Sequence, residues 1–351
     1  MNQRIARFLS QARASADAVL VSNSANVSYL TGYQSRDSYL LAGAGKAWYL
    51  TDGRYAAEAR RHLKGVQVVL LKGQLFKEVS ALCSRLRLRR IGFEEKHVSY
   101  AAFQRFKQAL GANQELAPIG PLVEQLRQVK DKNEVAQIRR ATDLACEALS
   151  YIGGQLEPGL TELEVSGEIE RFIRSRGASG SSFEIIVASG PNSSYAHHLT
   201  GTRRFKPGDA VMIDMGVDLN GYKSDLTRVF FIGKINLLAQ KLYSIVLTAQ
   251  RKAIAAIRPG IAVSRIDRAA REYIASKGYG KNFVHSLGHG IGLAVHEEPG
   301  ISASSQKVLE PGMVFTVEPA IYLPGRCGIR IEDMVLVTDK KCEVLSGSLN
   351  K

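Results

Sequence analysis

The sequence has few cysteines, and it lacks both a long apolar run and a leader-like start. Its four cysteines form no Cys-x-x-Cys pair, which argues against a thiolate zinc site or a dithiol redox motif and favours a reduced, cytoplasmic protein. No run of about 18 or more apolar residues occurs, so we predict no transmembrane helix. Residues 1–9 lack the apolar core and cleavage site of a signal peptide. The cysteines are Cys83, Cys146, Cys327 and Cys342.

Acidic residues are in the minority. The chain has 33 Asp and Glu against 47 Lys and Arg, for a formal net charge of +14, a balance compatible with a nucleic-acid partner. The densest basic cluster, residues 85–90, alternates arginine with leucine and contains no aromatic side chain. We therefore interpret it as a solvated face, with a nucleic-acid or acidic-partner surface as the alternative.

The length and the local patterns predict two domains of an α/β (α+β) fold class. At 351 residues the chain exceeds the usual ceiling for one hydrophobic core. Residues 1–123 mix helical and strand patterns, starting with an amphipathic helix over residues 5–12. A proline-rich segment at 118–121 is the best linker candidate. The second domain, residues 124–351, opens with a capping-box signal at 131–134.

The second domain contains an internal duplication. Two Pro-Gly steps 101 residues apart open similar helical patterns. Further on, residues 206–214 (KPGDAVMID) match residues 310–318 (EPGMVFTVE) at an offset of 104, so Asp214 and Glu318 occupy equivalent positions. Such repeats predict a pseudo-twofold domain whose carboxylates meet at its centre. Chance similarity of short amphipathic elements is the alternative.

Four acids and one histidine of this domain form a candidate metal site. Each lies in an apolar strand-like run or a glycine-rich segment, where an unpaired charge is costly. Taken singly, each acid is more typical of a cap or a surface salt bridge than of a metal ligand, but several buried acids together repel one another unless cations neutralise them. The predicted ligands are Asp214, Asp225, His289, Glu318 and Glu332.

The first acid pair is predicted to lie on one hairpin. The Asn-Gly pair at 220–221 is a strong two-residue turn signal, and that turn pairs residue 216 with Asp225. Asp214 and Asp225 then lie diagonally on one face, roughly 7–8 Å apart at the backbone. A Pro-Gly pair at 324–325 permits a similar reversal in the second repeat, with a longer loop that leaves the register open.

Such a cluster suits two divalent ions. A water shared between two ions roughly 3.5–4 Å apart loses a proton near neutral pH and becomes a nucleophile. Carboxylates with one imidazole favour Mn²⁺, Co²⁺, Fe²⁺ or Zn²⁺ over thiol-loving ions. The pattern therefore predicts a hydrolytic metalloenzyme.

Three further histidines are candidates for orienting a substrate or donating to a developing oxyanion. They are His197, His285 and His296, and a hydrogen-bonded structural imidazole is the alternative for each. We expect His198, next to the first of them, to be a bystander.

These residues resemble the motifs of the pita-bread metallopeptidases, the family of methionine aminopeptidase, aminopeptidase P and prolidase. The resemblance implies that Asp225 and Glu332 bridge the metals, that Asp214 completes one metal's sphere, and that His289 and Glu318 complete the other's. The matching motifs are Asp214-x-Gly216, Gly221-Tyr222-x-Ser224-Asp225-x-Thr227-Arg228, Gly288-His289-Gly290-x-Gly292, His296-Glu297-x-Pro299, Glu318-Pro319 and Arg330-x-Glu332-Asp333.

Two N-terminal segments narrow the resemblance to one group within this family. Asn26-x-x-Tyr29-Leu-Thr-Gly32 and residues 51–55 (TDGRY) are similar to the extra domain of aminopeptidase P, prolidase and creatinase. The resemblance implies a creatinase-like N-terminal domain, a pita-bread catalytic domain, a homodimer, and two Mn²⁺, Co²⁺ or Zn²⁺ ions. It also implies hydrolysis of the bond before proline, with Glu318 transferring the proton and Arg330 supporting the cluster.

The sequence departs from the prolidase motif at one position, and two alternative functions stay open. Prolidases often carry an arginine after His-Glu-x-Pro, and Gly300 occupies that position here, which favours an aminopeptidase accepting longer chains over a strict dipeptidase. A metal-free creatinase-like C–N hydrolase and a non-enzymatic binding protein share the two-domain outline. Both lose ligands that this sequence keeps.

Overall fold

The computed structural model describes residues 2–351 and divides into two compact units. The first unit ends at Arg127, and the second is Gln128–Lys351. The boundary that the sequence suggested, after residue 123, lies within a helix, Leu122–Gln128. That helix ends just before the capping-box segment.

The first unit is built on a six-stranded sheet with the strand order β4-β3-β2-β1-β5-β6. Its strands are β1 (Ala18–Val21), β2 (Tyr39–Gly43), β3 (Lys46–Thr51), β4 (Gln67–Leu70), β5 (Arg90–Phe93) and β6 (Glu115–Pro118). Its helices are α1 (Gln3–Ala12), α2 (Ser24–Thr31), α3 (Ala56–His62), α4 (Leu75–Arg85) and α5 (Tyr100–Ala109), and α6 (Leu122–Gln128) spans the division. The predicted amphipathic helix is confirmed, because Ile5, Phe8, Leu9 and Ala12 of α1 are buried.

The arginine-rich segment 85–90 lies between α4 and β5. Its arginines are exposed, whereas Leu86 and Leu88 pack against the core of the first unit. Arg90 pairs with the exposed Glu115. The segment therefore has an exposed basic side and an apolar inner side.

The second unit repeats one succession of elements. Its first half contains α7 (Lys132–Gly153), α8 (Glu162–Ser175), β7 (Gly180–Ser181), β8 (Ile186–Ser189), β9 (Ala210–Met215), β10 (Val217–Leu219), β11 (Tyr222–Lys223) and β12 (Leu226–Phe231). Its second half contains α9 (Leu237–Ala256), α10 (Val263–Ser276), β13 (Gly288–Gly290), β14 (Glu297–Ile301), β15 (Val314–Val317), β16 (Ala320–Leu323), β17 (Cys327–Arg330), β18 (Asp333–Val337) and β19 (Cys342–Val344). Short 3₁₀ helices occur at Gly190–Ser194 and Gly280–Asn282.

The sheets of the two halves correspond. One sheet has the order β12-β9-β8, and the other contains β18-β15-β13 in the same sense. A bridge between Thr161 and Arg204 in the first half is matched by one between Ala262 and Val308 in the second. The predicted mixed α/β class and the predicted duplication are therefore confirmed.

Helix starts in the second unit follow the local sequence. Asp131 caps α7 in a full capping box with Glu134, as the sequence predicted, and Thr161 caps α8 in the same way with Glu164. These boxes satisfy backbone N–H groups that a helix start otherwise leaves unpaired. Both helices then bury one apolar face against the sheet of the first half.

Over residues 2–351, no helix combines the length and the apolar character needed to cross a membrane. The four cysteines are unpaired thiols, and burial raises the pKa of Cys83 to about 12.

Candidate metal centre

A tight hairpin positions the first two acids. Asn220 and Gly221 form its turn with φ of 55° and 83°, left-handed values that Asn and Gly tolerate best. The register pairs Asp218 with Lys223 and continues into β9 and β12, where Asp214 is opposite Thr227. The predicted turn and register are therefore confirmed.

A second hairpin positions the other two acids. Strands β16 and β17 pair with Ala320 opposite Arg330, while β15 and β18 pair with Val317 opposite Asp333. Both pairings share one register, and it places Glu318 opposite Glu332. The register that the sequence left open is thus the one that brings the two carboxylates face to face.

His289, on β13, lies between the acids of the two hairpins. Its Nε2 atom is 3.5 Å from an oxygen of Asp225 and 3.5 Å from an oxygen of Glu318. Its Nδ1 atom is 3.1 Å from the carbonyl of Gly290, which favours a proton on Nδ1 and leaves the Nε2 lone pair facing the carboxylates. One ligand atom each from Asp225, His289 and Glu332 lies within 4.8 Å of the others.

The four carboxylates carry more negative charge than their surroundings compensate. Burial raises the pKa of Asp225 and of Glu332 well above the ordinary values, and the charges of neighbouring acids raise both further. Burial also raises the pKa of Glu318 to about 7, although the charges of His289 and Arg330 oppose the shift. Oδ1 of Asp214 is buried without a hydrogen-bond partner.

These observations fit a site for divalent cations. Buried carboxylates that raise one another's pKa are stabilised in the ionised form by metal ions. An orphaned buried acceptor such as Oδ1 of Asp214 needs a partner. Carboxylate oxygens with one imidazole form a donor set that Mn²⁺, Co²⁺ and Zn²⁺ accept.

Arg330 is buried beside the acids and supports them with several hydrogen bonds. It donates to Oδ2 of Asp214 at 2.5 Å, to the hydroxyl of Thr227 at 3.0 Å and to the hydroxyl of Tyr322 at 2.6 Å. Thr227 in turn donates to Glu332 at 2.7 Å. Thr227 lay within a recognised motif without an assigned role, and no pattern pointed to Tyr322.

The three additional histidines have different environments. His285 contacts the Tyr322 hydroxyl at 3.1 Å, and burial lowers the His285 pKa to about 4, so its ring is neutral at pH 7. The ring of His296 meets that of His289 edge-on, with centroids 4.2 Å apart, and burial lowers its pKa. His197 is exposed at the cavity wall.

The side chain of His198 contacts a buried acid. Its Nε2 atom is 2.8 Å from the buried carboxylate of Glu162. The expectation that His198 is a bystander did not anticipate this contact, since Glu162 is 36 residues away in the chain.

One cavity of about 430 Å³ brings together every candidate residue. The acids, His289, Arg330 and the three additional histidines all line it. Its other walls are largely apolar. They include Phe183, Ile186, Ala196, Leu199 and Val295, with Glu184 as an exposed acid. An apolar chamber with convergent acids and neutral imidazoles is suited to polarising and cleaving a polar bond.

Comparison with known proteins gives both units a family match. Residues 136–339 match the model of metallopeptidase family M24, and residues 4–129 match that of the creatinase/prolidase N-terminal domain. The uncharacterized peptidase YqhT of Bacillus subtilis is 37% identical over 323 residues, which cover 92% of this chain and 91% of that protein.

Solved structures are similar over almost the whole chain. The Xaa-Pro dipeptidase from Bacillus anthracis superposes with a TM-score of 0.95 at 36% identity, covering 99% of this chain and 98% of that one. The X-Pro aminopeptidase from Thermotoga maritima superposes with a TM-score of 0.88 at 35% identity, covering 98% and 97%. The expected family and fold are therefore confirmed.

Proposed function

This chain belongs to metallopeptidase family M24, and from that premise we propose that it is a metal-dependent exopeptidase which hydrolyses the peptide bond before proline. The observation that carries the proposal is the cluster of four carboxylates and His289 in one cavity, where burial and neighbouring acids raise the pKa of Asp225 and Glu332. The similarity to an Xaa-Pro dipeptidase and to an X-Pro aminopeptidase supports the choice of bond.

We propose that two divalent ions are held by the five predicted ligands. Asp225 and Glu332, the most deeply buried of the four acids, would hold the ions in the role that the family resemblance implies for them. Asp214 would complete the sphere of one ion through its free oxygen. His289 and Glu318 would complete that of the other, since Nε2 of His289 already faces the Glu318 carboxylate.

The surrounding residues supply binding and proton transfer. When bound, the ions would polarise the scissile carbonyl and lower the pKa of a water. Glu318, which lines the cavity beside His289, would pass a proton to the departing proline nitrogen. His197 and His296 are placed to donate hydrogen bonds to the oxygen of the scissile carbonyl. Both nitrogens of the neutral His285 ring are engaged, by the Ser286 carbonyl and the Tyr322 hydroxyl, so His285 would orient the substrate by contact. Arg330 holds Asp214 in place.

Several finer properties belong to the same proposal. Mn²⁺ is the proposed ion, with Co²⁺ or Zn²⁺ as alternatives, because the donor set is dominated by hard oxygens. A homodimer follows from the family resemblance. A cytoplasmic location is supported by the four unpaired cysteines.

Substrate length is the least constrained property. Gly300 offers no side chain to receive a substrate carboxylate, and the space around its α-carbon is open. We therefore propose a preference for Xaa-Pro-Yaa peptides over Xaa-Pro dipeptides.

The test is a peptidase assay on metal-stripped protein reconstituted with each ion. Xaa-Pro and Xaa-Pro-Yaa peptides would be compared with Xaa-Ala peptides, while bound metal is quantified by elemental analysis. We expect metal-dependent cleavage of the proline peptides alone, with about two ions per chain. Bound metal without any cleavage of proline peptides would refute the proposal. Metal-independent hydrolysis of a C–N bond in a small amidine would favour the creatinase-like alternative.

A further inference from the structure

Two fully buried carboxylates of the second unit lie outside the lining of the cavity that holds the metal cluster. Glu162 lies in the first turn of α8 and Asp267 lies on α10, and both are 0% exposed. These helices are the corresponding second helices of the two halves. Neither acid lines the cavity, so neither is explained by metal binding.

Glu162 holds together the segment that follows β8. One carboxylate oxygen accepts from the N–H and the hydroxyl of Ser189, at 2.8 and 2.7 Å, and from Asn192 at 3.0 Å. The other oxygen is 2.8 Å from Nε2 of His198 and accepts from the N–H of Gly201 at 3.2 Å. Burial alone would raise the pKa of Glu162, but these hydrogen bonds outweigh it and lower the pKa.

The same segment carries His197 at the cavity. On one side of His197, the carbonyl of Ala196 accepts from Arg330 at 3.1 Å. On the other side, His198 is tied to Glu162. The chain on one side of His197 is therefore hydrogen-bonded to Arg330, and on the other side to the buried carboxylate of Glu162.

Asp267 holds the equivalent segment of the second half. Its oxygens accept from Arg271 at 2.7 and 2.9 Å and from the N–H of Leu287 at 3.2 Å. Arg271 then donates to the carbonyls of Phe283 and His285, at 3.1 and 2.7 Å. The backbone on both sides of His285 is thus tied to one buried acid.

We propose that Glu162 and Asp267 are a pair of positioning residues, each fixing the segment that presents one substrate-contacting histidine. Glu162 would act through His197, and Asp267 would act through His285. The inference rests on the proposed function, in which these two histidines contact the substrate. A purely structural role, in which each acid stabilises the whole unit, is the competing explanation.

Hydrogen–deuterium exchange of the metal-free protein separates the two explanations without any activity measurement. We expect Glu162→Gln to accelerate exchange in residues 190–201 and not in 283–287, and Asp267→Asn to do the opposite. Glu164→Gln is the matched control, since it removes a carboxylate of α8 that bonds only the helix cap. Faster exchange spread over the whole second unit would overturn the proposal.

A double-mutant cycle tests the action through His197. We expect Glu162→Gln to lower kcat roughly tenfold or more in the wild-type background, because small misplacements of a reacting group are costly. In the His197→Ala background the same change should have little further effect on kcat, since interacting residues are not additive. Equal losses in both backgrounds would overturn the proposal.

A milder variant covers the case in which Glu162→Gln does not fold. His198→Ala removes one contact and leaves the other partners of Glu162 in place. Because His198 also lines the cavity, the readout is hydrogen–deuterium exchange: residues 190–201 should exchange faster while bound metal stays constant, and unchanged exchange there would count against the proposal. If the wild-type protein cleaves no proline peptide, the proposed function fails, and the exchange experiment still decides whether the two acids fix their segments.

Discussion

Two sets of buried acids in the second unit behave in opposite ways. In the metal cluster the pKa values of Asp225 and Glu332 are raised well above the ordinary values, by burial first and by neighbouring acids second. At Glu162 and Asp333, which are equally buried, hydrogen bonds or cations overcome burial and lower the pKa. Glu332 and Asp333 are adjacent in the chain and still differ in direction.

The difference shows that burial alone does not identify a functional acid. Asp333 is paired with Arg228 at 2.8 Å and accepts from Ser346 at 2.7 Å, so its charge is compensated within the chain. Glu332 has one hydroxyl donor, Thr227, and faces other acids. A buried carboxylate whose charge the chain leaves uncompensated is where an external cation belongs.

The largest expected effect comes from removing one charge of the cluster. Glu332→Gln should lower kcat/KM by roughly 10⁴-fold, as loss of an essential catalytic group does. The same change should leave the metal-free protein at least as stable as the wild type, because a repelled charge is removed while the amide oxygen can keep the Thr227 bond. Steady-state kinetics and thermal unfolding in EDTA measure the two quantities. A metal-free variant that unfolds several degrees earlier than the wild type would contradict this account of the cluster.

The second expected effect concerns Asp333, a buried acid whose charge is compensated within the chain. Asp333→Asn should lower the free energy of unfolding by about 3–5 kcal/mol, because it leaves the buried guanidinium of Arg228 without its counter-charge. Urea unfolding measures the change. Glu168→Gln is a matched control, since Glu168 pairs with the exposed Arg171 and solvent screens such pairs. Equal losses in the two variants would mean that Asp333 and Arg228 are no more than a surface-like pair.

Much of the geometry of the candidate metal centre could be predicted because its determinants are local. The Asn220-Gly221 turn sets the register of Asp214 and Asp225, and turn chemistry acts over a few residues. Because the duplication makes Glu318 equivalent to Asp214, it also predicted that Glu318 belongs to the site. Glycines beside His289 marked a close backbone approach.

The supporting contacts were not predictable, since they join distant segments. Thr227 reaches Glu332 across 105 residues, and Glu162 reaches His198 across 36. Threonine and tyrosine are also common in strands, so Thr227 and Tyr322 carry no local signal. The role of Thr227 comes from how the two halves pack together, and that of Tyr322 from contacts with Arg330 and His285 within the second half; the periodicity of the strands leaves both undetermined.

The smallest expected effect is a difference in pH dependence between the two sets. For Glu318 the folded pKa, about 7, lies above the ordinary value of 4.5. The metal-free folded state therefore binds more protons than the unfolded state between these values, and Glu318 costs stability as the pH rises through that window. At Glu162 and Asp333 the folded pKa is lowered, so their contribution is present above the unfolded pKa and is lost as the pH falls through the folded one.

A comparison of the wild type with Glu318→Gln isolates the contribution of Glu318 to the pH dependence of the unfolding free energy. His285 opposes it, since its folded pKa of about 4 lies below the ordinary 6.5 and stability due to His285 rises with pH between those values. That contribution is present in both proteins and largely cancels in their difference. In EDTA, the unfolding free energy of the variant should therefore exceed that of the wild type by a margin that grows from pH 4.5 to 7. With saturating Mn²⁺ the order should reverse, because the ion binds the ionised acids of the wild type more tightly. A margin independent of pH would place Glu318 among the compensated acids and remove it from the cluster.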